Sequence, residues 1–354
     1  MRDIDQIRDA LAAAYARGES IVLATVMSVE GSVYRGAGAR MVVHAGGATE
    51  GAVSGGCLEA DIVARTPDLL IAAAPELIRY DTLASDDVVL GLGMGCQGVI
   101  DLLLEPLSGR ALEDAAAMYA RIAARRDVVT LLTLIRSVDA VPIGTRLLVD
   151  ARGNPIEGDA SLLNRGNDVA REEIVPAIRL IICGGGADAI PLARIAGSMG
   201  WRITVIDHRP AFATTQRFSG VDAVVNANVS LDDDALNGRV LIDARTMAVV
   251  MAHSAAHDGA YLHAMLRAGA SYIGVLGPRR RTLELLGIAA NAGGTMPANI
   301  HSPAGLDLGA ETPEEIALSI VAEIAAVSGG RRGGMLRERS GPIHDRRTTH
   351  PVAP

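Results

Sequence analysis

Apolar residues recur at two different periods along this chain, and each change of period marks an element. Over residues 3–17, Ile4, Ile7, Leu11 and Tyr15 share one helical face, with acids at the start and Gly18 after the end, which predicts an opening amphipathic helix. Strand-like runs follow at 21–29 and 40–44, separated by a glycine-bearing loop at 30–38. A glycine loop at 54–57 then leads into a helical stretch at 58–64, a strand at 77–80 and a further glycine loop at 91–98. An apolar strand at 99–104, a helix at 112–124 and strands near 128–135 and 146–149 close the first half. Residues 151–177 are polar, rich in Gly, Asn, Asp and Glu, and show little periodicity, so a linker is expected there between a first domain over 1–150 and a second over 178–328.

The second half alternates short apolar runs (178–183, 203–206, 223–225, 249–251, 272–275) with helical stretches, the signature of a parallel sheet with crossover helices. Thr312, Pro313 and Glu315 stand as N-cap, first helical residue and capping-box acid of a final helix over 314–327. From Gly329 the chain is arginine-rich and polar, and a disordered tail over 329–354 is expected. The fold class that emerges is α/β: an N-terminal mixed α/β domain followed by a doubly wound, Rossmann-like parallel-sheet domain.

That second domain opens with the most informative run in the chain. The strand Leu180, Ile181, Ile182, Cys183 runs into Gly184, Gly185, Gly186, Ala187, Asp188 and Ala189, and a second strand ends in Asp207, about 20 residues beyond the turn as a dinucleotide fingerprint requires. Glycines allow a tight turn and close approach of an anion to backbone N–H groups, and the helix that begins there directs its positive end at a phosphate. Asp207 is placed to accept ribose hydroxyls. The competing reading is a doubly wound fold that keeps the turn for packing and binds nothing.

Composition narrows the partners. Aromatic residues make up 3% of the chain and the formal charge is −8, which together argue against nucleic acid. No signal-peptide pattern and no uninterrupted apolar run of about 18 residues occurs, so a cytoplasmic protein without a membrane span is expected. Cys57, Cys96 and Cys183 are odd in number and widely separated, which does not suggest a disulfide framework.

The remaining chemistry sits in loops. Gly31 to Gly36 carries Arg35, suited to a phosphate or carboxylate; Ser54 to Glu59 carries Cys57 and Glu59; Gly93 to Gly98 carries Cys96. A cysteine near a helix N-terminus gains thiolate character, and one among small residues is accessible; either would equally serve as a buried small hydrophobe. Glu59 would orient a partner or cap a helix. His253 ends the strand at 249–251, on the edge where doubly wound sheets bind ligands, with His257 four residues on; a metal pair or helix caps both account for these letters. Arg279 and Arg280, after Gly277 and Pro278, would form an anion site or a solvated face.

With these loops placed, the chain resembles the XdhC/CoxI family, accessory and maturation proteins of xanthine dehydrogenase, carbon monoxide dehydrogenase and related molybdenum hydroxylases. The runs that carry the resemblance are 31–43, 51–59, 95–98, 105–107, 183–191, 205–210, 249–253, 272–280 and 303–315. Tyr34 stands where many members have Pro, and Ala187 closes a turn that many members write Gly-Ala-Gly-His. The resemblance implies a homodimeric chaperone that binds molybdenum cofactor, as molybdopterin or its cytosine dinucleotide form, supports its sulfuration with a cysteine desulfurase, and inserts it into the apo form of a molybdenum hydroxylase. Cys96 and then Cys57 would contact molybdenum. Two other readings stay open: an NAD(P)-dependent oxidoreductase, and a scaffold with an empty nucleotide fold.

Overall fold

The computed structural model describes residues 2–56, 58–81, 97–137, 140–230, 236, 238–288 and 295–340. They divide into two units, the first ending at Pro176 and the second beginning at Ala177. The fold class expected from the sequence is borne out: antiparallel sheets with helices in the first unit, a parallel sheet with crossover helices in the second.

The first unit runs α1 (Arg2–Ala16), β1 (Ile21–Ser32), β2 (Arg40–His44), β3 (Thr49–Gly51), α2 (Glu59–Ala72), β4 (Glu76–Asp81), β5 (Gln97–Leu107), α3 (Gly109–Ala124), β6 (Val129–Leu134), β7 (Arg146–Asp150), β8 (Pro155–Gly158) and β9 (Val169–Ile174). Five strands form one sheet in the order β3-β2-β1-β5-β4, and four form another in the order β8-β7-β6-β9. Alternation along β1 sets the layers. Ile21 and Leu23 pack with α1, α3 and residues of β6, β7 and β9, while Val22, Ala24 and Val26 pack with Leu58 and Ile62 around α2.

Two expectations are corrected here. The interval 151–177, expected as a linker, holds β8 and β9, and β9 pairs antiparallel with β6 from Val129↔Ile174 to Leu134↔Val169. Its alternation is hidden because the inward Glu172 is charged: its carboxylate meets Arg40 on β2, which is 2% exposed and also donates to the Tyr119 hydroxyl at 2.8 Å. Although burial works against the cation, Glu172 and Tyr119 raise the Arg40 pKa above its ordinary value. The helix expected over 58–64 continues to Ala72 through Pro67. Proline forfeits one backbone bond there. The Thr66 hydroxyl donates to the Ile62 carbonyl at 2.9 Å, and the buried stripe Ile62, Thr66, Leu69 carries the helix onward.

The second unit runs β10 (Arg179–Cys183), α4 (Ala189–Ser198), β11 (Arg202–Asp207), β12 (Ala223–Asn226), β13 (Thr246–Val250), α5 (Ala255–Arg267), β14 (Tyr272–Val275), α6 (Arg279–Leu285), β15 (Ile300–His301) and α7 (Pro313–Ser328). Its six strands are ordered β12-β11-β10-β13-β14-β15, every pairing parallel. Leu180 and Ile182 face α4 and α7, whereas Ile181 and Cys183 face α5, so β10 is apolar on both sides as a covered parallel strand must be. The capping box of α7 forms as expected, with Thr312 and Glu315 each bonding the other's backbone. Of the expected tail, residues 329–340 are exposed or nearly so and include one short 3-10 turn at Leu336–Glu338, while 341–354 lie outside the described residues. Among the described residues no helix is long and apolar enough to cross a membrane.

Candidate functional site

The strand order reverses beside β10, and ligands of doubly wound sheets bind at such a reversal, outside the carboxyl ends of the strands. Three glycines meet that edge, for different reasons. Gly184 has φ +118°, and a Cβ there would lie 2.6 Å from the backbone of Met251 and Ala252. A Cβ on Gly185 would lie 2.5 Å from the Phe212 carbonyl oxygen. Both are demanded by the protein's own backbone. Gly186 is not: the nearest atom to its imagined Cβ is His253 Cδ2 at 3.8 Å.

The N–H groups of this turn divide the same way. Gly184 donates to the Ile206 carbonyl at 2.7 Å and Gly185 to Asp207 Oδ2 at 2.7 Å. The next three, of Gly186, Ala187 and Asp188, donate to no group among the described residues. They lead directly into α4, whose first-turn dipole adds to their attraction for an anion. Ala187 is exposed and Gly186 and Asp188 are partly so.

Asp207 ends β11 fully buried. Its Oδ1 accepts from Arg209 N at 2.8 Å and Arg209 Nε at 2.9 Å; its Oδ2 accepts from Gly185 N and from Arg209 Nη2 at 2.8 Å. Burial opposes the charge, but the Arg209 guanidinium and these N–H groups outweigh it and hold the carboxyl at about 2. The Arg209 guanidinium lies 3.8 Å from the centre of the Phe212 ring, and Arg217 donates to the Gly185 carbonyl at 2.9 Å.

After β13 the chain turns at His253, a non-glycine residue with φ +57°. Its Nε2 lies 3.2 Å from Asp188 Oδ2 and more than half of the side chain is exposed, at 58%. His257 turns elsewhere, stacking on His208 with ring centres 3.6 Å apart and planes 10° from parallel, while its Nδ1 meets Ser254 Oγ at 3.0 Å. Burial and the neighbouring His257 push the His208 pKa down. Asp258 and Arg281, which the sequence places beside His257 and at the end of the arginine run, take a different role in the structure. Asp258, 1% exposed, accepts the Ala252 N–H at 2.7 Å and pairs with Arg281, which also donates to the Leu276 carbonyl at 3.2 Å. Together they fix the loop that His253 sits on. The signal was an acid on the apolar face of α5 with Tyr261, Leu262 and Met265, which requires a partner for its charge.

Of the expected site residues, Gly184, Gly185, Gly186, Ala187, Asp207 and His253 therefore come together at one sheet edge. Arg279 and Arg280 are exposed at the start of the seven-residue α6, with Arg280 bonded to Glu284 at 3.0 Å. In the first unit Arg35 pairs with Asp3, and the Tyr34 ring lies 3.6 Å from where a Cβ on Gly55 would be. Glu59 folds its carboxylate back into its own glycine loop, accepting from Val53 N at 3.1 Å, Ser54 N at 2.7 Å and Gly56 N at 3.1 Å, as well as from the Ser54 hydroxyl. Partial burial works the other way, yet these bonds hold its carboxyl below the usual range. Cys57 and Cys96 lie outside the described residues. Cys183 is buried in the core and its thiol pKa is pushed far up by that burial, so it is an inert small hydrophobe. No cluster of three or more His, Cys, Asp or Glu able to hold a metal is present among the described residues.

Two sequence profiles match: the XdhC and CoxI family over residues 14–81 and the XdhC Rossmann domain over 180–324. A Bacillus subtilis protein named as a probable xanthine dehydrogenase subunit is 33% identical over 321 residues, covering 86% of this chain and 92% of its own. The Escherichia coli molybdenum cofactor insertion chaperone PaoD is 27% identical, covering 88% of this chain and 84% of its own. A crystal structure described as a xanthine dehydrogenase from Bacillus halodurans superposes with a TM-score of 0.78 at 29% identity, covering 93% of this chain and 96% of that one.

Proposed function

This chain belongs to the XdhC and CoxI family, and we propose on that footing that it is a maturation chaperone that binds molybdenum cofactor and inserts it into the apo form of a molybdenum hydroxylase. The observation that carries the reading is similarity along nearly the whole chain to a protein named for molybdenum cofactor insertion. The geometry supports it. A molybdenum cofactor is a phosphorylated pterin dithiolene, and the three N–H groups at 186–188 are donors that the protein leaves for an anion. Gly186 keeps that approach open, and the His253 imidazole beside Asp188 stands at its rim. When bound, the cofactor supplies the metal centre that the hydroxylase needs; the residues here hold its phosphate and orient it.

The finer parts of the reading rest on the sequence. They are sulfuration in company with a cysteine desulfurase, molybdenum contact by Cys96 and Cys57, the homodimer and a cytoplasmic location. The test of binding is retention. Purified protein offered molybdenum cofactor without oxygen should keep it in near-stoichiometric amount through desalting, and Gly186→Val should lose it while melting at the wild-type temperature. No retention by the wild type, or full retention by a folded Gly186→Val, would overturn the assignment. Cofactor stoichiometry in Cys96→Ser and Cys57→Ser then tests the thiols separately.

A further inference from the structure

The glycine turn is that of a dinucleotide domain, but the acid that should take the ribose is engaged elsewhere. A carboxylate offers about four lone-pair positions. At Asp207 all four are used within the protein: three by the N, Nε and Nη2 of Arg209 and one by the N–H of Gly185. A ribose diol presented to this strand end would find no free acceptor. Nor is Arg209 easily displaced, because the same guanidinium rests on the Phe212 ring, and the Phe212 carbonyl abuts Gly185. Arg217 ties the same segment to the turn, donating to the Gly185 carbonyl and lying 5.0 Å from the Phe212 ring centre. The chain's own segment 209–217 thus takes up the acceptors of Asp207 and lies against Gly185.

We propose that Arg209 is a specificity-determining residue: by saturating Asp207 it closes the ribose position, so the turn accepts a phosphate group but refuses nicotinamide and adenine-type dinucleotides. The disagreement between motif and geometry is the point, since the letters of a dinucleotide fingerprint are present and its ribose acceptor is spent on the protein. The proposal does not depend on the chaperone reading, because its probe contains no pterin.

ADP-ribose, which presents a diphosphate and an adenosine ribose together, is titrated calorimetrically into the full chain. The wild type should show no saturable binding, placing any affinity weaker than about 1 mM. Arg209→Met keeps the apolar stem over Phe212 and frees the two Asp207 acceptor positions held by Nε and Nη2, leaving those of the Arg209 and Gly185 N–H groups filled; it should tighten ADP-ribose binding at least about tenfold. Adding Asp207→Asn to that variant should abolish the gain. Should Arg209→Met fail to melt cooperatively, Arg209→Gln replaces it in the same titration. Micromolar binding of ADP-ribose or NAD by the wild type would overturn the proposal, and so would a folded Arg209 variant that binds no better than wild type. Loss of cofactor retention, measured separately, would leave both results standing.

Discussion

Two glycine-rich turns lead into helices in this protein, one at residues 53–59 before α2 and one at 184–188 before α4, and they are finished in opposite ways. In the first, an acid within the turn folds back and consumes the donors: Glu59 takes the N–H groups of Val53, Ser54 and Gly56. In the second, the acid arrives from the neighbouring strand and takes only the N–H of Gly185, leaving three donors unspent. Glycine content does not distinguish these turns. What makes the second a candidate anion site is the set of donors left over once the protein has satisfied itself.

The comparison can be broken most forcefully at Gly184. A methyl group there meets backbone at 2.6 Å on a residue with φ +118°, so Gly184→Ala should destabilise the protein by more than about 4 kcal/mol in denaturant titration. A mild effect would mean that the turn is looser than its packing indicates. Next in size is Asp207→Asn, which leaves the half-exposed Arg209 and the buried Gly185 N–H with a poorer partner and should cost about 3 kcal/mol.

Acid supplies the same perturbation without mutation. The Asp207 carboxyl is held at about 2, below its ordinary 3.8, so its stabilisation is complete above pH about 4 and fades as pH falls towards 2. A fall of about 2 kcal/mol across that window is expected in wild type and should be missing from Asp207→Asn. The smallest effect belongs to the self-filled turn. Glu59→Gln keeps the shape and weakens bonds to a partly exposed loop, for about 1 kcal/mol by thermal melting. A loss larger than that of Asp207→Asn would reverse the ranking of the two turns.

Much of this was legible in the letters, and the failures have physical causes. The strands of the second unit stand out because both faces are covered, so apolar residues run unbroken through Leu180, Ile181, Ile182 and Cys183. β9 escaped notice because its inward Glu172 is charged, and a period-two pattern is invisible when an ion pair takes the apolar slot. The second half of α2 hid behind Pro67, whose lost bond is outweighed by burial of Leu69. At the candidate site the residue types and the edge were readable. The partner of Asp207 was not, since a bidentate bond from a residue two positions on depends on how the chain curls after β11. Likewise three consecutive arginines look alike in sequence, and only helical phase decides that Arg281 turns in to Asp258 while Arg279 and Arg280 stay in solvent.

The Arg40 to Glu172 pair has a consequence for how the first unit comes apart. The two residues are 132 positions apart, one on β2 of the five-stranded sheet and the other on the outermost strand of the four-stranded sheet. An outermost strand ordinarily frays first, opening at far less than the free energy of global unfolding. Here peeling β9 away would abandon a guanidinium that is 2% exposed, and a buried charge deprived of its partner is strongly destabilising. The amides of β9 should therefore exchange with solvent only when β2 also opens. Two sheets tied through a buried cation behave as one cooperative folding block, and the edge strand inherits the protection of the core.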